Sequence, residues 1–320
     1  VWLESSIVSM EKAGQEERTL AIENQQVDED GIPWTCVYLD GGWSKRSYGH
    51  NFNAASGVGV IIGQLSKKVL YMGVRNKFCI ICTKAENKGI ASTKHVCFKN
   101  WEGSSSAMEA DIIVEGFCQS LKQHGLKYKK FIADGDSSVF AKIQENVPYG
   151  KEVFKIECTN HVIKNYGKRL HKMKTDTRSV SLSARKLLKA DKIKDLQSIA
   201  QKAIFDNAQG DIGSLIEDLG NGPLHTFGQH SHCKDYYCTK VGEETLEIKA
   251  ATSSGLLRLV QGALNMVIRK AHSLIDNETN NRAELFMNIV SRFTMGKRLN
   301  LTQRSSYNIR ADLSSMRYNE

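Results

Sequence analysis

The sequence predicts an α/β fold: a mixed five-stranded sheet flanked by helices and interrupted by a mainly helical insertion domain. Three observations lead there. Strand-like runs come three in succession in the first quarter of the chain, and strands then alternate with helices, the pattern of a mixed sheet with helices on its faces. From about 173 to 275 the strand signal fades, while 184–203 and 256–275 carry a helical period.

The elements follow in order. Residues 5–29 are polar and rich in Glu and Gln, with Ile7, Met10, Ala13, Leu20 and Ile22 as apolar positions, which predicts a surface helix. Asp28-Glu29-Asp30-Gly31 makes a turn into a first strand over 34–39, which ends at Asp40. Runs at 57–62 and 68–74, separated by five residues, suit an antiparallel hairpin. A polar, cysteine-bearing loop spans 76–103. Ser104-Ser105-Ser106 can cap a helix over 106–123 with Met108, Ile112, Ile113, Phe117 and Leu121 on one face. His124 and Gly125 supply its stop signals. Strands are expected at 129–134 and 152–158, with a short helix capped by Ser137-Ser138 between them and a basic helix starting near His161. A last helix covers 281–293. The expected organisation is a lead-in over 1–33, a core over 34–172, an insertion over 173–275 and the closing part of the core over 276–320.

With 320 residues, 41% hydrophobic and 25% charged, the chain has an ordinary globular composition and can bury a sizeable core. No apolar run approaches the length of a membrane span, so no membrane partner is expected. The opening Val1-Trp2-Leu3 lacks methionine, the expectation for a piece of a longer protein. Net charge is +9, which favours polyanionic partners. Two clusters sharpen that: Lys164, Lys168, Arg169, His171, Lys172 and Lys174, then Arg292, Lys297, Arg298, Arg304 and Arg310. A solvated charged face is the rival reading of both.

Asp40 and Asp134 each close an apolar strand, and Glu284 sits on a helical stretch. Mg²⁺ takes oxygen ligands, commonly one or two carboxylates plus phosphate oxygens, and short Asp side chains on a rigid sheet suit that need. The rival is a plain Asp-Gly turn after each strand. Lys45 and Arg46 follow the first acid as phosphate contacts, and Trp43 can stack on a base or cover the sheet edge.

Cys79-x2-Cys82-x12-His95-x-Cys97 offers four zinc-type donors in one loop with too few apolar residues to fold alone. His225-x4-His230-x2-Cys233-x4-Cys238 is a second such set, less standard in spacing, with His232 as a rival to His230. Eight cysteines, most of them near histidines, fit metal-bound thiolates in a reducing compartment better than a disulfide scaffold. Cys158-x2-His161 is too small a set for zinc. Cys36 and Cys118 read as core residues.

Taken together and in order, Tyr38-Leu39-Asp40-Gly41-Gly42-Trp43-Ser44-Lys45-Arg46, Ile132-Ala133-Asp134-Gly135-Asp136-Ser137-Ser138, Cys158-Thr159-Asn160-His161, Asn280-Asn281-Arg282-Ala283-Glu284 and Gly296-Lys297-Arg298 resemble the Mutator-like transposase domain. The resemblance implies a ribonuclease-H-like fold and a DDE triad of Asp40, Asp134 and Glu284 that cuts and joins DNA on Mg²⁺ or Mn²⁺. Asp136 rivals Asp134, which is favoured for its place at the strand's end. Glu109 invites comparison with a metal-binding helix Glu of ribonuclease H; the preferred reading is an acid placed in a first helical turn by the macrodipole. The Cys/His spacing points to structural zinc, and the resemblance further implies DNA ends and target as partners, at least a dimer on DNA, and a nuclear location. Its rivals are a domesticated DNA-binding protein without catalysis and an unrelated zinc-stabilised module.

Overall fold

A computed structural model describes residues 2–44, 54–133, 137–234, 238, 245–297, 301 and 305–320, with the backbone alone at Ser137 and Lys297. Two compact units emerge, Val1–Lys155 with Asn280–Glu320, and Ile156–Thr279.

The sheet is mixed and five-stranded, in the order β3-β2-β1-β4-β5. Its central strand β1, Trp34–Trp43, runs antiparallel to β2, Ser56–Gly63, and parallel to β4, Lys127–Ala133. Strand β3, Val69–Asn76, pairs antiparallel with β2, and β5 spans Phe154–Glu157. The arrangement is consistent with a ribonuclease-H-like fold.

Strand β1 overturns the reading of Asp40-Gly41 as a turn. The strand passes straight through, with Asp40 opposite Val60, Gly41 opposite Gly59 and Trp43 opposite Gly57. Val37 and Leu39 before Asp40 lie in the core, and Gly41–Trp43 after it stay paired to β2, so the strand is held on both sides of Asp40.

Helix α1 spans Trp2–Glu23, α2 Ile80–Lys88, α3 Met108–His124 and α4 Ser137–Asn146. Helix α2 falls within the stretch expected as a loop. Helix α3 lies on the sheet with Met108, Ile112, Ile113 and Phe117 buried, as its apolar spacing predicts. Phe117 meets Tyr128 of β4 edge to face at 5.3 Å. The inner face of α1 differs from expectation. Of its five apolar markers Ala13 alone is buried, while Ile7 and Ile22 are 41% and 44% exposed. Its packed stripe is Ser6, Ala13, Gly14, Glu17 and Ala21, because neighbours approach too closely for large side chains. A Cβ on Gly14 would stand 1.7 Å from the His124 ring.

The second unit is helical: α5 Thr159–Thr175, α6 Leu182–Leu187, α7 Ala190–Asp206, α8 Ile212–Thr226, α9 Leu246–Ser253, α10 Leu256–Ile268 and α11 Ala271–Leu274. Its own core includes Tyr166, Leu170, Leu196, Leu215, Phe227, Val260 and Leu264. The first unit closes with α12, Asn281–Phe293, and α13, Ser306–Asn319.

Candidate active site and metal centres

The outer half of β1 carries Asp40 and is approached by two helices, α12 and α3, each of which bears an acid. Asp40, half-buried, accepts the N–H of Gly41 on Oδ1 at 2.8 Å. One residue earlier, the carbonyl of Leu39 accepts the Asn280 Nδ2–H at 2.8 Å, a buried bond that pins the start of α12 to the strand. On α12, Asn280, Glu284 and Met287 fall at i, i+4 and i+7, one face of a helix. The Met287 thioether covers Gly42, 3.1 Å from where a Cβ would stand. Glu284 therefore lies on the stripe between two anchors that flank Asp40.

A third acid arrives from the opposite direction. The Trp43 indole donates to the Ser105 carbonyl at 2.8 Å, and Ser105 Oγ donates to the Ala54 carbonyl at 2.8 Å. These bonds fix the turn that leads into α3, whose first turn carries Glu109. Trp43 is thus tied to the scaffold, and its ring nitrogen is engaged with main chain. The Glu109 side chain occupies the space that a Gly41 side chain would need: a Cβ there would stand 2.4 Å from Glu109 Cδ. Asp40 is the adjacent residue. The sequence signal for this placement is the Gly41-Gly42 pair directly after the acid, the mark of a strand another element approaches closely.

Asp134 and Asp136 lie outside the described residues, as do Lys45, Arg46, Arg298 and Arg304; Lys297 is described in its backbone alone. In the second unit, Lys164, Lys168 and Arg169 are exposed on α5, opposite its buried Val162, Ile163, Tyr166 and Leu170. Arg169 and Lys172 also line an open cavity of about 1080 Å³, with Arg258 from α10 and the hydroxyls of Ser179 and Ser181. Asp176 lies there too, its pKa lowered by the backbone N–H groups of Ser179 and Arg178. Cys158 is buried at the N-cap of α5, with His161 in the first turn. Cys118 is exposed on α3, contrary to its expected place in the core, while Cys36 is buried.

Both four-membered Cys/His sets converge, with donor atoms in each set within 4.8 Å of one another. Cys79 caps α2 and Cys82 follows in its first turn. His95 Nε2 lies 3.2 Å from Cys79 Sγ and 3.5 Å from Cys82 Sγ, and Cys82 Sγ lies 3.6 Å from Cys97 Sγ. A tetrahedral zinc, with bonds of about 2.3 Å to sulfur and 2.0–2.1 Å to nitrogen, separates its donors by about 3.5–3.8 Å. His95 Nδ1 sits 2.7 Å from the Thr93 carbonyl, a bond that assigns the proton to Nδ1 and turns the Nε2 lone pair toward the thiols. The N–H groups of Cys82 and Ile81 bring the Cys79 thiol down to about 7, favouring the thiolate a metal needs. Around it, Ala85 is the buried residue of α2, while Ile90 and Val96 are exposed, so apolar packing contributes little.

In the second set, His225 Nδ1 lies 3.2 Å from Cys233 Sγ, and His230 Nδ1 lies 3.7 Å from Cys233 Sγ and 3.4 Å from Cys238 Sγ. His232, the rival donor, is exposed and outside the group.

A family model described as Mutator-like transposase matches residues 2–238. The segment from Asn280 to Glu284 lies beyond the matched range. No curated protein and no solved structure matched the chain.

Proposed function

Because this chain belongs to the Mutator-like transposase family, we propose that it cuts DNA at the ends of a mobile element and joins the freed ends to a target by phosphoryl transfer. The residues assigned to the reaction are Asp40, Asp134 and Glu284, with Asp136 as the rival second acid. A pair of Mg²⁺ or Mn²⁺ ions, when bound, activates the attacking oxygen and stabilises the leaving one. Carboxylate oxygens are the donors hard cations prefer, so the chemistry of Asp40, Asp134 and Glu284 fits such a pair.

Each residue has a definable task. Asp40 on β1 gives a short, rigid reach into the site, and its bond to the Gly41 N–H orients the carboxylate. Asp134 follows one peptide bond after Ala133, the last residue of β4, which runs parallel beside β1. Glu284 extends from α12, positioned by the Asn280 anchor and the Met287 contact. Glu109 stands against Gly41 as an additional acid facing the same end. The observation that supports this reading most is that α3 and α12, remote in sequence, are each docked against β1 within two residues of Asp40.

Phosphate contacts fall to Lys45, Arg46, Lys297 and Arg298 in the first unit and to Lys164, Lys168 and Arg169 in the second. Such contacts give affinity that falls as salt rises. Cys79, Cys82, His95 and Cys97 hold a structural zinc, since four protein donors leave no open position for substrate. Pairing two element ends requires at least a dimer on DNA, and the reading places the protein in the nucleus.

The second reading, a domesticated DNA-binding protein without catalysis, draws on the exposed basic face of α5, which serves binding whether or not the acids act. The deciding experiment uses the chain with duplexes taken from the termini that flank its own coding sequence. In Mg²⁺ the unaltered chain should nick these ends. Asp40→Asn, Asp134→Asn and Glu284→Gln should each lose nicking and strand transfer while retaining binding in a gel-shift assay. Binding without nicking by the unaltered chain would favour the domesticated form, and full activity in all three variants would remove the triad.

A further inference from the structure

We propose that the helical unit carries its own zinc centre, built from His225, His230, Cys233 and Cys238, which acts as the core of the loop between α8 and α9. This inference is independent of the DNA chemistry above, because nothing in it requires the carboxylates to act.

The donor set is complete and closed. The nitrogen–sulfur separations of 3.2, 3.4 and 3.7 Å bracket the roughly 3.5 Å expected across a tetrahedral zinc. The two imidazoles lie at 88° with centroids 4.8 Å apart, so they approach a common point from different directions and do not stack. Both present Nδ1 to the thiols. Two soft thiolates with two imidazoles select zinc over Mg²⁺ or Ca²⁺, which prefer oxygen. Neither Cys233 nor Cys238 forms a disulfide, which leaves both sulfurs for metal ligation.

The surroundings explain why a metal is needed at this place. His225 stands in the last turn of α8, and Phe227 beyond it is buried in the core of the unit. The loop closes where Thr245, the N-cap of α9, donates its hydroxyl to the Phe227 carbonyl at 2.9 Å. Between these points the sequence Gln229–Glu244 offers only Tyr236, Tyr237 and Val241 as large apolar residues, too few to pack. Two polar ties secure the loop to α8. The Asn221 amide donates to Cys233 Sγ at 3.6 Å, an outer contact that favours the thiolate. Lys234 Nζ meets the buried Asp218 carboxylate at 2.8 Å. The metal cross-links the last turn of α8, through His225, to His230, Cys233 and Cys238 of the segment that follows.

The test measures zinc per chain and local protection. Native mass spectrometry of the zinc-loaded chain should show about two ions per chain. Cys233→Ser with Cys238→Ser should lower that count by one, and so should Cys79→Ser with Cys82→Ser, additively when combined. Should a serine variant fail to fold, hydrogen exchange of the unaltered chain decides: a chelator should raise exchange over 225–245 and at the end of α8, and added zinc should restore protection. A zinc count unmoved by the Cys233 and Cys238 substitutions, or exchange over 225–245 indifferent to chelator, overturns the proposal.

Discussion

At His124, in the last turn of α3, the imidazole is buried against Gly14 of α1, and neither ring nitrogen has a hydrogen-bond partner among the described residues. Burial disfavours the charged ring and lowers its pKa from 6.5 to about 4. The unfolded chain takes up this proton near pH 6.5 and the folded chain does not. The resulting stability term is therefore intact above pH 6.5 and is lost as pH falls toward 4. At about 1.4 kcal/mol per unit, the loss amounts to roughly 3 kcal/mol. Urea unfolding of the unaltered chain and of His124→Leu, compared at neutral and acid pH, should show the unaltered chain losing about that much more. A stability difference that stays constant with pH would show that the ring charges freely in the fold. Other residue environments are not legible in the sequence. By pattern, Glu17 is one more polar residue in a charged helix. In the fold it is buried, accepting from Thr35 Oγ1 at 2.6 Å, Leu65 N at 3.1 Å and Ser66 N at 2.6 Å. Those partners lie 18 or more residues away, so no local pattern could announce them.

At the scale of elements, the site depends on how closely α3 and α12 approach β1. Ile112 of α3 reaches into the gaps above Gly59 and Gly73, where a Cβ would stand 2.9 and 2.7 Å from its methyl group. Gly41 plays the same part for Glu109. Substituting Gly41→Ala should leave the fold in place, because strand β1 remains paired on both sides, while displacing the Glu109 carboxylate and disturbing Asp40. A shift of about 1 Å in a catalytic group can cost about 10²-fold in rate. DNA nicking by Gly41→Ala should fall by that order, with the far-ultraviolet dichroism spectrum unchanged. Undiminished nicking would mean that close approach of α3 is only packing. Strand positions, the face of α3 and its αL stop at Gly125 are legible, since each has a period or a cap visible in sequence. Helix α2 is not, because Ile80–Lys88 lacks an apolar stripe and buries Ala85 alone. The inner face of α1 departs from its pattern for a related reason. Helix–helix approach over Gly14 selects small residues, whereas a hydrophobic pattern points to the large ones.

For the whole molecule, strand order settles what the sequence can only imply. Three strands in succession followed by alternating helices and strands predict a mixed sheet, and the observed order β3-β2-β1-β4-β5 puts the strand carrying Asp40 in the middle. The strand is paired to β4 over Trp34–Tyr38 and to β2 through Trp43, so Asp40 follows closely on a doubly paired stretch and is itself held by β2. Residues 2–238 place the chain among Mutator-like transposases, and α12, which carries Glu284, returns to the first unit after the helical segment ends. Under the proposed mechanism, that return makes neighbours of acids up to 244 positions apart (284 − 40). The most direct test is a crystal structure of the chain with Mn²⁺, phased on the anomalous signal of the metal. The mechanism predicts two manganese peaks about 3.5–4 Å apart beside the outer half of β1, ligated by Asp40, Asp134 and Glu284. Manganese found elsewhere, with these three carboxylates pointing to separate surfaces, would contradict it.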